Sequence, residues 1–352
     1  MRQIVFGAIV LQLLSAVFFV YPAYRLGTWF GLSSEVVWLI AGTVFFKQAV
    51  VRILFRHSKG IIIKAVRVAA DFILGIAPVL LFSVLAAEFV LGFGWVQPGI
   101  AGAGVLAITV LVGAWGVKKA WAPEVVRVPI ASSKVEQPLR VVQISDVHIG
   151  SRSTRFLERV IARVVELQPD FLCITGDFID QRNVGEERLA ALRTLDCPVF
   201  FCTGNHEHYE DTAQILSRLE RLDVEVLRGE TARFREVQII GFDDQSDPDF
   251  LGRALPAIGL DPKAFTLLLY HRPHGLGHAA SNGIDLMLSG HTHNGQIKPF
   301  NWLVRMQFKH LSGLYREGDT HLYVNEGTGT WGPVMRLGTR SEITLFEIAQ
   351  NS

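Results

Sequence analysis

The chain has 352 residues, enough for a membrane region and one full-sized domain, or for two domains. Its formal net charge of +1, with no Lys/Arg run interleaved with aromatics, argues against a nucleic-acid partner. The mean hydropathy of +0.30 is high for a soluble enzyme, and the apolar excess is concentrated before Val117.

Four segments in that first third approach membrane length: Ile4 to Tyr24, Val36 to Val51, Phe72 to Phe93 and Ile100 to Val117. A helix needs roughly 20 apolar residues to cross a bilayer core. Three segments meet this, and Val36 to Val51, flanked by Glu35 and broken by Lys47, is the weakest. Buried helices of a soluble protein would carry a polar face, and these carry almost none. The sequence therefore predicts about four transmembrane helices within residues 1–117.

Basic residues set the orientation. Lys47, Arg52, Arg56, Lys59, Lys64 and Arg67 cluster between the second and third segments, and Lys118, Lys119 and Arg127 follow the fourth. The other two connections carry Arg25 alone and no charge at all. The positive-inside rule then places the amino terminus and everything after Lys118 in the cytoplasm. A cleaved signal peptide competes for the first segment, but only Arg2 precedes the apolar run and no small-x-small site closes it. Cys173, Cys197 and Cys202 are odd in number and sit in or beside apolar runs, which suits reduced structural thiols.

Residues 118–138, with Pro123, Pro129 and Pro138 among alternating charges, read as an extended linker. From Leu139 short apolar runs alternate with amphipathic stretches. Helices are predicted at Phe156 to Leu167, Glu186 to Leu195 and Thr212 to Leu222. Strands are predicted at Asp170 to Thr175, Pro198 to Cys202, Val224 to Leu227, Val237 to Gly241, Phe265 to Tyr270, Ile284 to Leu288, His321 to Asn325 and Glu342 to Ile348. A βαβ first half and a strand-rich second half point to an α/β domain, residues 139–352, of two packed sheets with helices outside.

Polar residues gather where five of these strands end. Val141–Ile144 leads into Asp146 and His148. Phe171–Thr175 ends in Gly176-Asp177, with Asp180 beyond. Val199–Cys202 ends in Gly204-Asn205-His206-Glu207, Leu267–Tyr270 in His271, and Leu286–Ser289 in Gly290-His291-Thr292-His293. Singly each has a bland reading: Gly-Asp is commonly a turn, and a lone His after a strand is commonly a core residue. Together they supply imidazole, carboxylate and amide oxygen, the donor set of divalent transition metals. They exceed what one ion needs, and a carboxylate can bridge two ions roughly 3.5–4 Å apart. The glycines before Asp177, Asn205 and His291 let the backbone turn sharply ahead of each ligand.

This ordered series, Asp-x-His, Gly-Asp, Gly-Asn-His-Glu, His and Gly-His-x-His, resembles the calcineurin-like metallophosphoesterase superfamily from about Leu139 to the end. The tail Asn325-Glu326-Gly327-Thr328-Gly329-Thr330-Trp331-Gly332-Pro333 resembles its bacterial membrane-associated branch, which includes UDP-2,3-diacylglucosamine hydrolases and related phosphodiesterases. Asn294 departs from that branch, where glycine is more usual. The resemblance implies a four-layer α/β/β/α sandwich. It implies that Asp146, His148 and His293 hold one metal ion, that Asp177 bridges, and that Asn205, His271 and His291 complete the second. It also implies that His206 is no ligand but assists the leaving group.

The expected chemistry is hydrolysis of a phosphodiester or pyrophosphate by a hydroxide bridging two divalent cations. His206, oriented by a neighbouring carboxylate, would donate to the leaving group. Arg152 and Arg272, beside ligand loops, are candidates for clamping phosphate. The mixed nitrogen and oxygen donors favour manganese, iron, zinc or cobalt over magnesium, with manganese first. A domain tied to the cytoplasmic face of a bacterial inner membrane would meet a phospholipid or nucleotide-lipid substrate at high effective concentration. No protein partner is implied. Two readings compete: a tethered phosphatase or nucleotide phosphodiesterase on a soluble substrate, and a sensor that binds metal or ligand without turnover.

Overall fold

A computed structural model of the chain describes residues 15–49, 60–182 and 184–350. The chain divides into two compact units, Met1–Lys118 with Gly332–Met335 and Lys119–Trp331 with Arg336–Ser352.

In the first unit the described helices are Tyr21–Trp29, Ser34–Ala49, Ile61–Gly92 and Pro98–Trp121, preceded by a π-helical turn at Ala16–Val20. Among the described residues two helices are long and apolar enough to cross a membrane, Ala65–Gly92 and Pro98–Trp121. They correspond to the expected third and fourth segments. The described part of the second segment is a 16-residue helix, Ser34–Ala49, short of a bilayer core. The expected first span, Ile4 to Tyr24, and the basic loop around Arg52 to Lys59 lie largely outside the described residues. Glu88, the only carboxylate in Phe72 to Phe93, accepts from the Tyr21 hydroxyl and the Arg25 guanidinium, so its charge is paired within the unit.

The second unit holds two six-stranded sheets. In chain order the strands are β1 Glu124–Ala131, β2 Leu139–Ile144, β3 Phe171–Thr175, β4 Val199–Cys202, β5 Val224–Val226, β6 Glu230–Phe234, β7 Val237–Gly241, β8 Phe265–Leu269, β9 Leu286–Ser289, β10 Gly313–Glu317, β11 Thr320–Val324 and β12 Glu342–Ala349. The first sheet runs β1-β12-β2-β3-β4-β5 and the second β10-β11-β9-β8-β7-β6. From β2 to β5, and from β7 through β8 and β9 to β11, neighbours are parallel.

Period-two alternation builds the layers. Phe171 and Cys173 of β3 pack between the sheets with Phe200, Leu267, Leu286 and Phe346. Leu172 and Ile174, on the other face, meet Val160, Ile161 and Val164 of the helix Thr154–Glu166. In the second sheet Leu267 and Leu269 face inward, and Leu268 faces outward to Leu251 and Leu276. Strands covered on both faces read as nearly continuous apolar runs, as Phe171 to Ile174 of β3 and Leu267 to Leu269 of β8 do. Cys173 and Cys202 are buried and free, and desolvation pushes both thiols well up, which suits structural residues.

Two expectations change. The linker is partly a strand: β1 pairs in parallel with β12 from Glu124↔Glu342 to Ala131↔Ala349, burying Val128 and Ile130. Pro129 is tolerated because β1 is an edge strand. The helix expected at Glu186 to Leu195 is two short 3₁₀ turns, Glu186–Arg188 and Ala190–Thr194.

Candidate metal centre

Parallel strands leave their carboxyl ends on one edge, and the ends of β2, β3, β4, β8 and β9 bring the five polar loops to one crevice. The ladder continues past the strands: Asp146 N–H donates to Gly176 O at 3.0 Å, and His148 N–H to Asp177 O at 3.0 Å. Asp146, His148, Asp177, His291 and His293 all hold left-handed backbone conformations, with φ between 48° and 71°. Non-glycine residues rarely adopt this region, and such strain clusters where side chains must be aimed.

The structure brings six of the seven expected ligands, all but Asn205, into mutual contact. His148 Nε2 faces His293 Nε2 at 3.2 Å, and His271 Nε2 faces His291 Nδ1 at 3.1 Å. Asp146 Oδ1 lies 3.3 Å from His293 Nε2, and Asp177 Oδ2 lies 3.3 Å from His271 Nε2. Donor atoms fall into three groups, each within 4.8 Å: Asp146, His148 and His293; His148, Asp177 and His206; Asp177, His271 and His291. Asp177 belongs to the last two groups, within reach of His148 on one side and of His271 and His291 on the other. Asn205 contributes a buried side-chain oxygen with no hydrogen-bond partner among the described residues.

These residues fit divalent cations. The Nδ1 proton of His271 goes to the Thr175 carbonyl at 2.8 Å, which turns Nε2 inward at His291, where a cation would take the place of its proton. Two imidazole lone pairs directed at one another beside a carboxylate are stable when a cation lies between them.

The electrostatics agree. Burial opposes charge on Asp177, yet His271, His148 and His206 outweigh it and hold the carboxyl well below its usual range. Burial also lowers His271, but the charges of Asp177 and Asp146 push it up to about 10. Desolvation and the neighbouring His148 push His293 well down, and desolvation with His271 takes His291 to about 2. The dry carboxylates demand positive charge, while His291 and His293 are kept neutral with free lone pairs.

The role expected of the glycines changes. Only Gly176, at φ +80°, makes a left-handed turn before its ligand. Gly204 and Gly290 are needed for space: a Cβ at Gly204 would run into Asp177, and one at Gly290 into Ser145 and Asp146. Asn294 has φ 48° and ψ 32°, a conformation that glycine and asparagine both tolerate, so the loop keeps its shape.

His206 is half-buried, its ring 4.7 Å from that of His148. Its backbone N–H donates to Asp177 Oδ1 at 2.8 Å. Among the described residues no carboxylate hydrogen-bonds its ring, contrary to the expected orienting partner. Asp180 instead approaches His148, with Oδ2 3.6 Å from Nδ1.

The two arginines part company. Arg152 is 2% exposed, stacked over Phe156 at 3.9 Å and Trp121 at 4.7 Å, and donates to the Ala120 carbonyl at 2.9 Å. It is committed to packing, which corrects the expected phosphate clamp. Arg272 lines a cavity of about 350 Å³ with Asn205, His208, Tyr209 and Asp244, its Nε held by Asp244 at 2.8 Å.

Two residues escaped the sequence reading. Glu207 accepts backbone N–H groups of Gly204, Asp177, Phe178 and Ile179 at 2.7–2.9 Å, tying two ligand loops together. Burial and the charge of Asp177 push its carboxyl up to about 7. Fully buried Arg336 donates to the carbonyls of His293 at 3.1 Å and of Gly327 and Gly329 at 2.8 Å. Glu207 lay in plain view within Gly-Asn-His-Glu. Arg336 carried no signal.

Comparison with known proteins settles the family. The model for calcineurin-like phosphoesterases matches residues 139–295. A metallophosphoesterase of Aquifex aeolicus is 30% identical over 255 residues, covering 68% of this chain and 97% of the relative. The chain belongs to the calcineurin-like metallophosphoesterases. A metallophosphoesterase of Helicobacter pylori is 33% identical over 239 residues, 64% of this chain and 64% of the relative. A Danio rerio protein named a transmembrane protein with metallophosphoesterase domain is 34% identical over 281 residues, 70% of this chain and 62% of the relative. The chain thus spans just under two thirds of the length of these last two metallophosphoesterases.

Proposed function

We propose that this metallophosphoesterase hydrolyses phosphoric esters with two divalent cations and does so tethered to a membrane. The observation that carries the reading is the pair of facing imidazole contacts, His148 with His293 and His271 with His291, flanking Asp146 and Asp177. Cations held there supply charge neutralisation on phosphoryl oxygens and a nucleophile at neutral pH. His206, at the half-buried rim, gives a proton or hydrogen bond to the leaving oxygen. Arg272 binds the flanking part of the substrate from the adjoining cavity. Manganese is our first choice of metal, with iron, zinc and cobalt suiting the same donors.

The tether rests on the two apolar helices and on the relative named a transmembrane protein. With basic residues following the last helix, the catalytic domain faces the cytoplasm. A lipid-linked phosphodiester or pyrophosphate, as in the UDP-2,3-diacylglucosamine hydrolase-like branch, is the substrate class that such a tether favours.

The test is hydrolysis of a chromogenic phosphodiester and the matching monoester by the full chain in detergent. It is run with manganese, after chelation, and beside Asp177→Asn and His206→Ala. Metal-dependent turnover that Asp177→Asn abolishes supports the reading. A folded, metal-loaded protein that turns over neither these esters nor lipid-linked ones would instead be a sensor.

A further inference from the structure

The ligand loop His291–His293 continues into a segment that behaves unlike the rest of the domain surface. Phe308 turns inward, its ring 5.1 Å from that of His291 and 5.0 Å from that of His274. This fixes the segment against a metal ligand. Its other apolar side chains turn outward: Trp302 is 72% exposed, Leu303 59% and Met306 85%. Trp331, 57% exposed, is tied to the same loop, because Gln296 exchanges two hydrogen bonds with its backbone at 2.8 and 3.0 Å.

The charge is one-sided. From Leu286 to Arg316 the sequence contains no Asp or Glu. Lys298, Arg305 and Lys309 alternate with the outward apolar residues, are exposed, and have no ion-pair partner among the described residues. Exposed Trp, Leu and Met among unpaired cations is the composition that enters the headgroup region of an anionic bilayer, with indoles at the polar boundary and long basic side chains reaching phosphate. A protein partner would be expected to take these cations against acidic side chains. A bilayer, by contrast, is the apolar surface always within reach of a chain with two helices fit to span one.

We infer that Lys298–Lys309, together with Trp331, is a docking edge that dips into an anionic lipid surface beside the metal centre. The edge deepens the proposed function, resting on it only for the presence of a bilayer, and places lipid phosphates at the mouth of the site.

The test follows a nitroxide on Met306→Cys in a Cys197→Ser background, in the full chain reconstituted into vesicles of phosphatidylcholine with or without phosphatidylglycerol. Collisions with oxygen, which concentrates among acyl chains, are compared with those of a water-soluble nickel chelate. With phosphatidylglycerol, oxygen collisions should exceed nickel collisions. That excess should be lost when Lys298, Arg305 and Lys309 are changed to glutamate. Should the triple variant fail to fold, high salt on the unreversed chain makes the same test, since screening weakens lipid attraction. A label open to nickel in anionic vesicles overturns the inference. So does a label shielded from both agents, which would mean that protein covers the edge. No turnover enters the readout, so an inactive chain can still pass.

Discussion

Glu207 shows what holds the centre together at the scale of single residues. One carboxylate accepts four backbone N–H groups from two ligand loops, so removing its charge leaves buried donors poorly satisfied. We expect Glu207→Gln to lower the melting temperature and weaken metal retention by about 10–100-fold, the usual cost of losing an outer partner. Metal content after dialysis checks this, and unchanged retention would assign Glu207 to folding alone. The arginines separate in the same way. Arg152→Leu should shift thermal stability and leave KM for a phosphodiester near its starting value. Arg272→Leu should raise KM with a smaller change in melting temperature. The candidate ligands were legible because each follows a strand and the motif series repeats. Arg336 was not, because its contacts with His293 and Gly327 join chain segments that nothing in the local sequence links. Arg152 was misread for a related reason: adjacency to a ligand loop in sequence does not say which way a side chain points.

Among elements, β1 is the instructive case. Prolines and alternating charge made residues 118–138 look like a linker, since an edge strand with one exposed face lacks the apolar run that marks β3 or β8. Its partner β12 lies more than two hundred residues away, so pairing could not be read locally. If β1 is structural, Ile130→Ala should destabilise the domain by about 2–5 kcal/mol, whereas a linker position would cost within roughly 0.5. Denaturant unfolding distinguishes the two. The strands of the sheet interiors were legible because burial on both faces forces nearly continuous apolar sequence. The short turns at Glu186–Thr194 mimicked helical spacing over too few residues to tell apart.

For the whole molecule, the parallel runs β2–β5 and β7–β9 explain why ligands drawn from Asp146 to His293 converge: parallel strands deliver every loop to one edge. The strained left-handed backbone at five candidate ligands is sustained by the packed sandwich beneath it. The apolar helices add a second property of the entire chain. Cell membranes washed with alkaline carbonate should retain the protein in the pellet, and release into the supernatant would contradict a spanning tether.

That two cations share Asp177 is central to the proposed activity. It is tested most directly by loading the full chain with manganese and recording its electron paramagnetic resonance spectrum. Two equivalents of metal with the multiline signal of a coupled pair, reduced in Asp177→Asn to uncoupled ions or to a single equivalent, is the predicted result. One equivalent in the unaltered protein, or two ions without coupling, would contradict it.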